Sequence, residues 1–141
     1  GGLAFIDETG YIIHLTSIPT ISEKKRKRID IFSLKKLLLE YKPSIVVLEE
    51  VHAFPKQGTV SMFRFGEAFG LIIGLCYGLD IKVITISCRQ WQKCFGLSGD
   101  KKGVVWKAQL ENPKHQFNEH TASAFFIAKW YCNKELKHEP V

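Results

Sequence analysis

A chain of 141 residues with a net charge of +6 has room for one domain with a real core, and too little for two. With 45% apolar and 24% charged residues it has the composition of a soluble globular protein. Its longest apolar stretches are broken by glycine or charge within about ten residues, short of the roughly 20 that a membrane span needs. No basic, apolar and small-residue leader opens the sequence, which argues against a secretory signal. Cys76, Cys88, Cys94 and Cys132 show no Cys-x-x-Cys spacing. Reduced thiols in a cytoplasmic protein, no membrane partner and no zinc site are the resulting expectations.

Gly1 to Asp7 and Tyr11 to Leu15 are apolar runs joined by Glu8-Thr9-Gly10, the pattern of a β-hairpin. Pro19 and the run Lys24-Lys25-Arg26-Lys27-Arg28 then read as a loop. Without that run, 15 basic residues face 14 acidic ones, so the basicity of the chain is local. A solvated loop and a phosphate-contacting one both fit it. Ile31, Leu34, Leu37 and Leu38 recur at helical spacing behind Asp30, which is placed to cap the helix, and Pro43 ends it. Ile45-Val46-Val47-Leu48 has the continuous β-branched character of a strand covered on both faces.

A helix is predicted from about Thr59 to Leu79. Gly66, Gly70, Gly74 and Gly78 fall four apart and so share one ridge. Each internal glycine costs about 1 kcal/mol relative to alanine, which predicts another backbone packed closely on that ridge. The central sheet is the expected neighbour and a second subunit the alternative. Ile81 to Ile86 is the next strand, and Ser87 caps a short helix through Trp91 to Phe95. Residues 98–118 have no clear pattern. A closing helix is marked by Ala122, Phe125, Phe126, Ala128 and Lys129 and frays into a polar tail over 133–141, which leaves 1–132 as one domain. Strands alternating with helices indicate an α/β architecture.

Three places carry candidate chemistry. The buried strand stops on Glu49 and Glu50, and strand ends are where ligands gather in open α/β sheets. Alternation sends the two carboxylates to opposite faces, so one of them points easily into a site; a strand simply meeting solvent is the plain alternative. Glu119, His120 and Ser123 are spaced to share one face of the closing helix, although spacing alone makes His120 an ordinary polar residue at a helix start. The loop His52 to Gly58, running into Met62-Phe63-Arg64-Phe65, interleaves cations with aromatics as a phosphate backbone beside unstacked bases requires. Phe63 and Phe65 can equally fill the core, and for Phe65 that reading is preferred. Arg89, Gln90 and Lys93 beside Trp91 are further phosphate-contact candidates.

Together these residues carry a family resemblance. Val47 to Gly58 resembles the second-carboxylate strand and following loop of bacterial and phage RuvC-type Holliday junction resolvases. Ser61 to Gly66, the glycine-rich helix, Trp91 with Lys93, and Gly96 to Lys101 continue the likeness in the same order. Gly1 to Asp7 is similar to the part of the family's first hairpin that follows its Asp-Pro-Gly motif, and Ala122 to Ala128 to its closing helix. The resemblance spans residues 1–97 and 118–131 and is poor between them.

The resemblance implies an RNase H-like fold with a mixed central sheet flanked by helices, whose first strand is missing from this chain. It also implies a homodimer, branched DNA as partner, and Mg²⁺- or Mn²⁺-dependent cleavage of four-way junctions in recombination and repair. It makes Glu49 the second metal-binding carboxylate and places His120 where the family has an acidic residue or His. Ser123 stands where a closing Asp or Glu is expected, and Glu119, one turn earlier, is the candidate substitute ligand. Asp7 follows the glycine pair and so is not the family's first Asp, which is expected upstream of Gly1. Lys56, Gln57, Phe63, Arg64, Arg89 and Lys93 are the expected nucleic-acid contacts. A catalytically impaired branched-DNA-binding protein and a decayed remnant of a resolvase are the alternatives.

Overall fold

The computed structural model describes residues 1–52 and 55–138. In chain order its elements are β1 (Gly2–Ile6), β2 (Ile12–Ser17), β3 (Thr20–Glu23), β4 (Arg26–Ile29), α1 (Ile31–Tyr41), β5 (Ile45–Glu49), α2 (Thr59–Gly78), β6 (Lys82–Ile86), α3 (Cys88–Cys94), α4 (Lys101–Glu111) and α5 (Glu119–His138). The strands pair as β1–β2, β3–β4 and β5–β6. The chain divides into two compact units. Unit 1 holds Gly1–Ile18 and the residues from Ile86 onward; unit 2 is Pro19–Thr85.

In unit 1 the expected hairpin forms, with Gly2 opposite Ser17 and Phe5 opposite His14. The register slips between Phe5 and Ile6, where the strand meets its turn. Asp7 builds that turn: its Oδ1 accepts from the Thr9 hydroxyl at 2.6 Å, the Thr9 amide at 2.9 Å and the Tyr11 amide at 3.0 Å. Gly10 sits at φ 90, a conformation that glycine adopts without Cβ strain. The core of the unit gathers Phe5, Ile12, Trp91, Val104, Ala108, Phe125 and Phe126. The Trp91 and Phe126 rings lie nearly parallel, their centroids 6.5 Å apart, and Phe125 meets Phe126 edge-on at 5.2 Å. Full burial of each such aromatic stabilises by roughly 2–3 kcal/mol. Lys129 Nζ clips α5 to α4 through Glu111 at 2.9 Å.

Two elements of unit 1 exceed the sequence reading. Helix α4 occupies part of the stretch without a clear pattern; its start is capped by Asp100, whose carboxylate accepts from the Lys102 amide at 3.1 Å. Helix α5 begins three residues earlier than its apolar marks and continues through residue 133 to His138, where a polar tail was expected. Residues 139–141 of that tail lie outside the described residues. The early start comes from Asn118, whose Oδ1 accepts from the backbone amides of both His120 and Thr121 at 2.9 Å.

Unit 2 departs from expectation in its first segment. The basic run is a β-hairpin, not a loop: Glu23 pairs with Arg26, Ser22 with Lys27, and Thr20 with Ile29. Charged side chains on both strands hid the alternation on which a strand reading depends. Asp30 caps α1 as expected, accepting from the Ser33 amide, and Lys42 ends the helix in the left-handed conformation just before Pro43. Among the described residues of this unit, Leu34, Leu38, Cys76 and Ile81 are the buried apolar ones.

Helix α2 has the predicted extent, but its glycine ridge has a different setting. A Cβ placed on Gly66, Gly70, Gly74 or Gly78 meets no described residue within 4 Å. The ridge instead borders an open groove that also touches Ile31, Glu67 and Leu71. The close backbone contact expected there is not made by the described residues. The length expectation also changes. By length and composition α2 is the single helix among the described residues apolar enough to cross a membrane, a test that core helices of soluble proteins also pass. Glycines interrupt its large apolar residues, and only Arg64 and Glu67 are charged.

Candidate functional site

Glu49 is the last residue of β5 and is half-buried. Its neighbour Glu50 is engaged elsewhere: His52 Nε2 lies 3.2 Å from Glu50 Oε2, on an exposed pair. Glu50, also half-buried, is thus paired with His52.

The loop that follows places its candidates on the surface of unit 2. Lys56 is exposed and Gln57 is half-buried, while Ala53 and Phe54 lie outside the described residues. Phe63 and Arg64 project from the first turns of α2, with Phe63 68% exposed. Phe65 is 53% exposed, so the core role preferred for it is corrected. Phe63 lies on the side of α2 away from Cys76, the buried residue of the helix, whereas Phe65 falls three turns before Cys76 on the same stripe and is exposed there.

In unit 1, Arg89 and Lys93 are exposed and four apart on α3, sharing one face. Trp91 between them points the other way and is 1% exposed, a core anchor. Gln90 is taken up by the start of its helix. Its side chain accepts from the Ser87 amide at 3.0 Å, while Ser87 Oγ accepts from the Gln90 amide at 3.2 Å.

Glu119 and His120 form the exposed first turn of α5, and Ser123 follows, half-buried. Glu119 Oε2 is 4.0 Å from Lys101 Nζ at the start of α4, an exposed contact that binds weakly. The backbone here is tightly held. A Cβ on Gly2 would lie 2.5 Å from the His120 carbonyl carbon, 2.6 Å from its oxygen and 2.7 Å from the Thr121 amide. Strand β1 therefore runs directly against the turn that carries Glu119 and His120, and only a residue without a side chain fits at position 2. Sequence reading missed this role of Gly2. The paired glycines at the start of an apolar run were the available signal.

Among the described residues no three of His, Cys, Asp and Glu gather into a cluster that could hold a metal ion. By donor chemistry the candidates suit a hard divalent cation, since Glu49 and Glu119 offer carboxylate oxygens and His120 an imidazole that Mn²⁺ accepts. Ser123, about one turn further along α5, offers a hydroxyl, a poorer ligand.

Solved structures align with this chain over most of its length, two of them as follows. Thermus thermophilus RuvC in complex with a Holliday junction substrate matches with a TM-score of 0.65 at 15% identity, covering 87% of this chain and 79% of that one. The fold is RuvC-like. A second T. thermophilus RuvC structure matches with a TM-score of 0.58 at 17% identity, over 82% of this chain and 87% of its own. No protein-family profile matches the sequence, and no curated protein does. The RuvC likeness carries the RNase H-like α/β assignment drawn from the sequence.

Proposed function

We propose that this chain is a structure-selective endonuclease acting on four-way DNA junctions. The RuvC-like fold supports the reading most strongly, one of the matching structures being a RuvC bound to a Holliday junction. Water attacks a phosphodiester near the crossover; a P–O bond forms, the bond to the leaving oxygen breaks, and the strand is left with a phosphate and a hydroxyl end. On this reading Mg²⁺ or Mn²⁺ would be held by the carboxylates of Glu49 and Glu119 and by the His120 imidazole. Such an ion lowers the pKa of water and steadies a leaving oxygen. Lys56, Gln57, Phe63, Arg64, Arg89 and Lys93 contact the junction, the cations on phosphates and Phe63 on an unstacked base. A homodimer is the assembly that goes with this reading; the glycine row of α2, against which no described residue packs within 4 Å, would give it a smooth face to close on.

Junction binding without cutting is the second reading. It is favoured by Ser123 in place of a carboxylate and by the pairing of Glu119 with Lys101. A synthetic four-way junction incubated with Mg²⁺ or Mn²⁺ separates the two. Nicking that Glu49→Gln abolishes supports the endonuclease. Nicking that survives Glu49→Gln removes Glu49 from the site, and tight binding with no nicking supports the second reading.

A further inference from the structure

We infer that the β3–β4 hairpin is a DNA-contacting finger, a phosphate-binding site separate from the loop and helix residues named above. The inference rests on the branched-DNA reading and adds a contact surface to it. Its five cations divide into two sets with different tasks. Arg26 and Arg28 lie on one face of β4 and are anchored. Arg26 Nη2 is 3.3 Å and Arg28 Nη2 3.2 Å from Glu67 Oε1 of α2, and Arg28 Nη1 is 3.3 Å from Glu23 Oε2. Strand alternation sends Lys27 to the opposite face, and Lys24 and Lys25 form the turn. All three lysines are exposed, and among the described residues none of their side chains makes an ion pair or hydrogen bond. Half of the chain's net charge of +6 is thus held at one tip by a clamp that uses the neighbouring arginines.

The turn itself is costly as folding goes. Lys24 at φ 50 and Lys25 at φ 62 are both left-handed, the conformation of a two-residue hairpin turn that Asn-Gly adopts with far less strain. A sequence selected only to close this hairpin has no use for two adjacent lysines there; repulsion and backbone strain both oppose them. Contact with a polyanion gives them a use. A two-stranded ribbon is the width that the major groove of DNA admits. From Glu23 to Lys27 the tip carries no aliphatic or aromatic residue, so it lacks the apolar insertion that holds a protein to a lipid surface.

The test is the triple variant Lys24→Asn, Lys25→Gly, Lys27→Thr, which removes the three charges and supplies a better turn. Binding to a synthetic four-way junction is measured without divalent ions across a salt series. Loss of three phosphate contacts lowers the slope of log K against log salt by about 0.9 each, close to three units in all, and weakens binding by at least about tenfold at low salt. The thermal midpoint of the variant stays level or rises, which excludes unfolding as the cause. Lys27→Arg alone keeps the slope. A wild-type slope in the triple variant overturns the finger and leaves the branched-DNA reading standing. Failure of the wild-type protein to bind any junction overturns both.

Discussion

Gly2→Ala is the sharpest structural test, because it adds one methyl group where the only obstacle is backbone. The new Cβ would lie 2.5–2.7 Å from three backbone atoms of His120 and Thr121. Ordinary contact begins near 3.4 Å, so β1 and the first turn of α5 must part by about 0.9 Å. Overpacking of this kind costs about 1–3 kcal/mol, and the upper half applies because no side chain here can swing aside. The lower chain entropy of unfolded alanine offsets about 0.4–1 kcal/mol, leaving a net loss of about 2 kcal/mol. Trp91, Trp106 and Trp130 all belong to unit 1, so tryptophan fluorescence follows the unfolding of this unit specifically. At an m of about 1.5 kcal/mol per M the urea midpoint falls by roughly 1.3 M with m unchanged. Gly1→Ala is the control, since its Cβ meets only the flexible end of Ile18 and is expected to stay within about 0.5 kcal/mol. Equal midpoints for the two variants would refute the close approach of β1 to the turn that carries His120.

The Asp7 carboxyl is held below its usual range, chiefly by the Thr9 hydroxyl and then by the amides of the turn. A depressed carboxylate stabilises the fold above its unfolded pKa near 3.9, and that contribution is lost as pH falls through the lower folded value. Asp7→Asn keeps an acceptor without the charge, so its urea midpoint should depend less on pH below about 4 than that of the wild type. Among the thiols, burial pushes Cys76 up, and burial followed by the charge of Asp7 does the same to Cys132. Cys88 and Cys94 are exposed. Alkylation of the native protein, read by mass, should label Cys88 and Cys94 quickly, half-buried Cys132 more slowly, and Cys76 only on unfolding.

The elements with apolar periodicity were legible: the first hairpin, α1 behind Asp30, β5 ending on Glu49, α2 and the core of α5 all appear where the pattern puts them. Elements whose residues are charged on every side were not. The β3–β4 hairpin shows no alternation because its inner face is arginine held by Glu67; α4 opens on Lys101-Lys102-Gly103 and buries only Val104 and Ala108, one turn apart, so its apolar signal is short. The candidate site was legible as residue types and positions, Glu49 on its strand end and His120 on its helix start. Geometry was not: nothing in residue order says that Gly2 abuts the His120 carbonyl, that Gln90 is spent on a capping box, or that Phe65 faces water. The glycine ridge shows the limit of inference from spacing, because four aligned glycines specify a smooth face without specifying what rests on it.

The packing of β1 against α5 also orders events during synthesis. Unit 2 is one unbroken stretch of chain and can close as soon as its last strand is made. Unit 1 is discontinuous: its first hairpin emerges early and waits through the whole of unit 2 for the helix that covers it. Contacts so distant in sequence form late and slowly. During that wait Phe5 and Ile12, both deeply buried in the finished unit, are uncovered, and the edges of the β1–β2 ribbon are open to strands of other nascent chains. Slower translation downstream of the hairpin lengthens this exposure, which makes the yield of soluble protein sensitive to codon choice between residues 18 and 119.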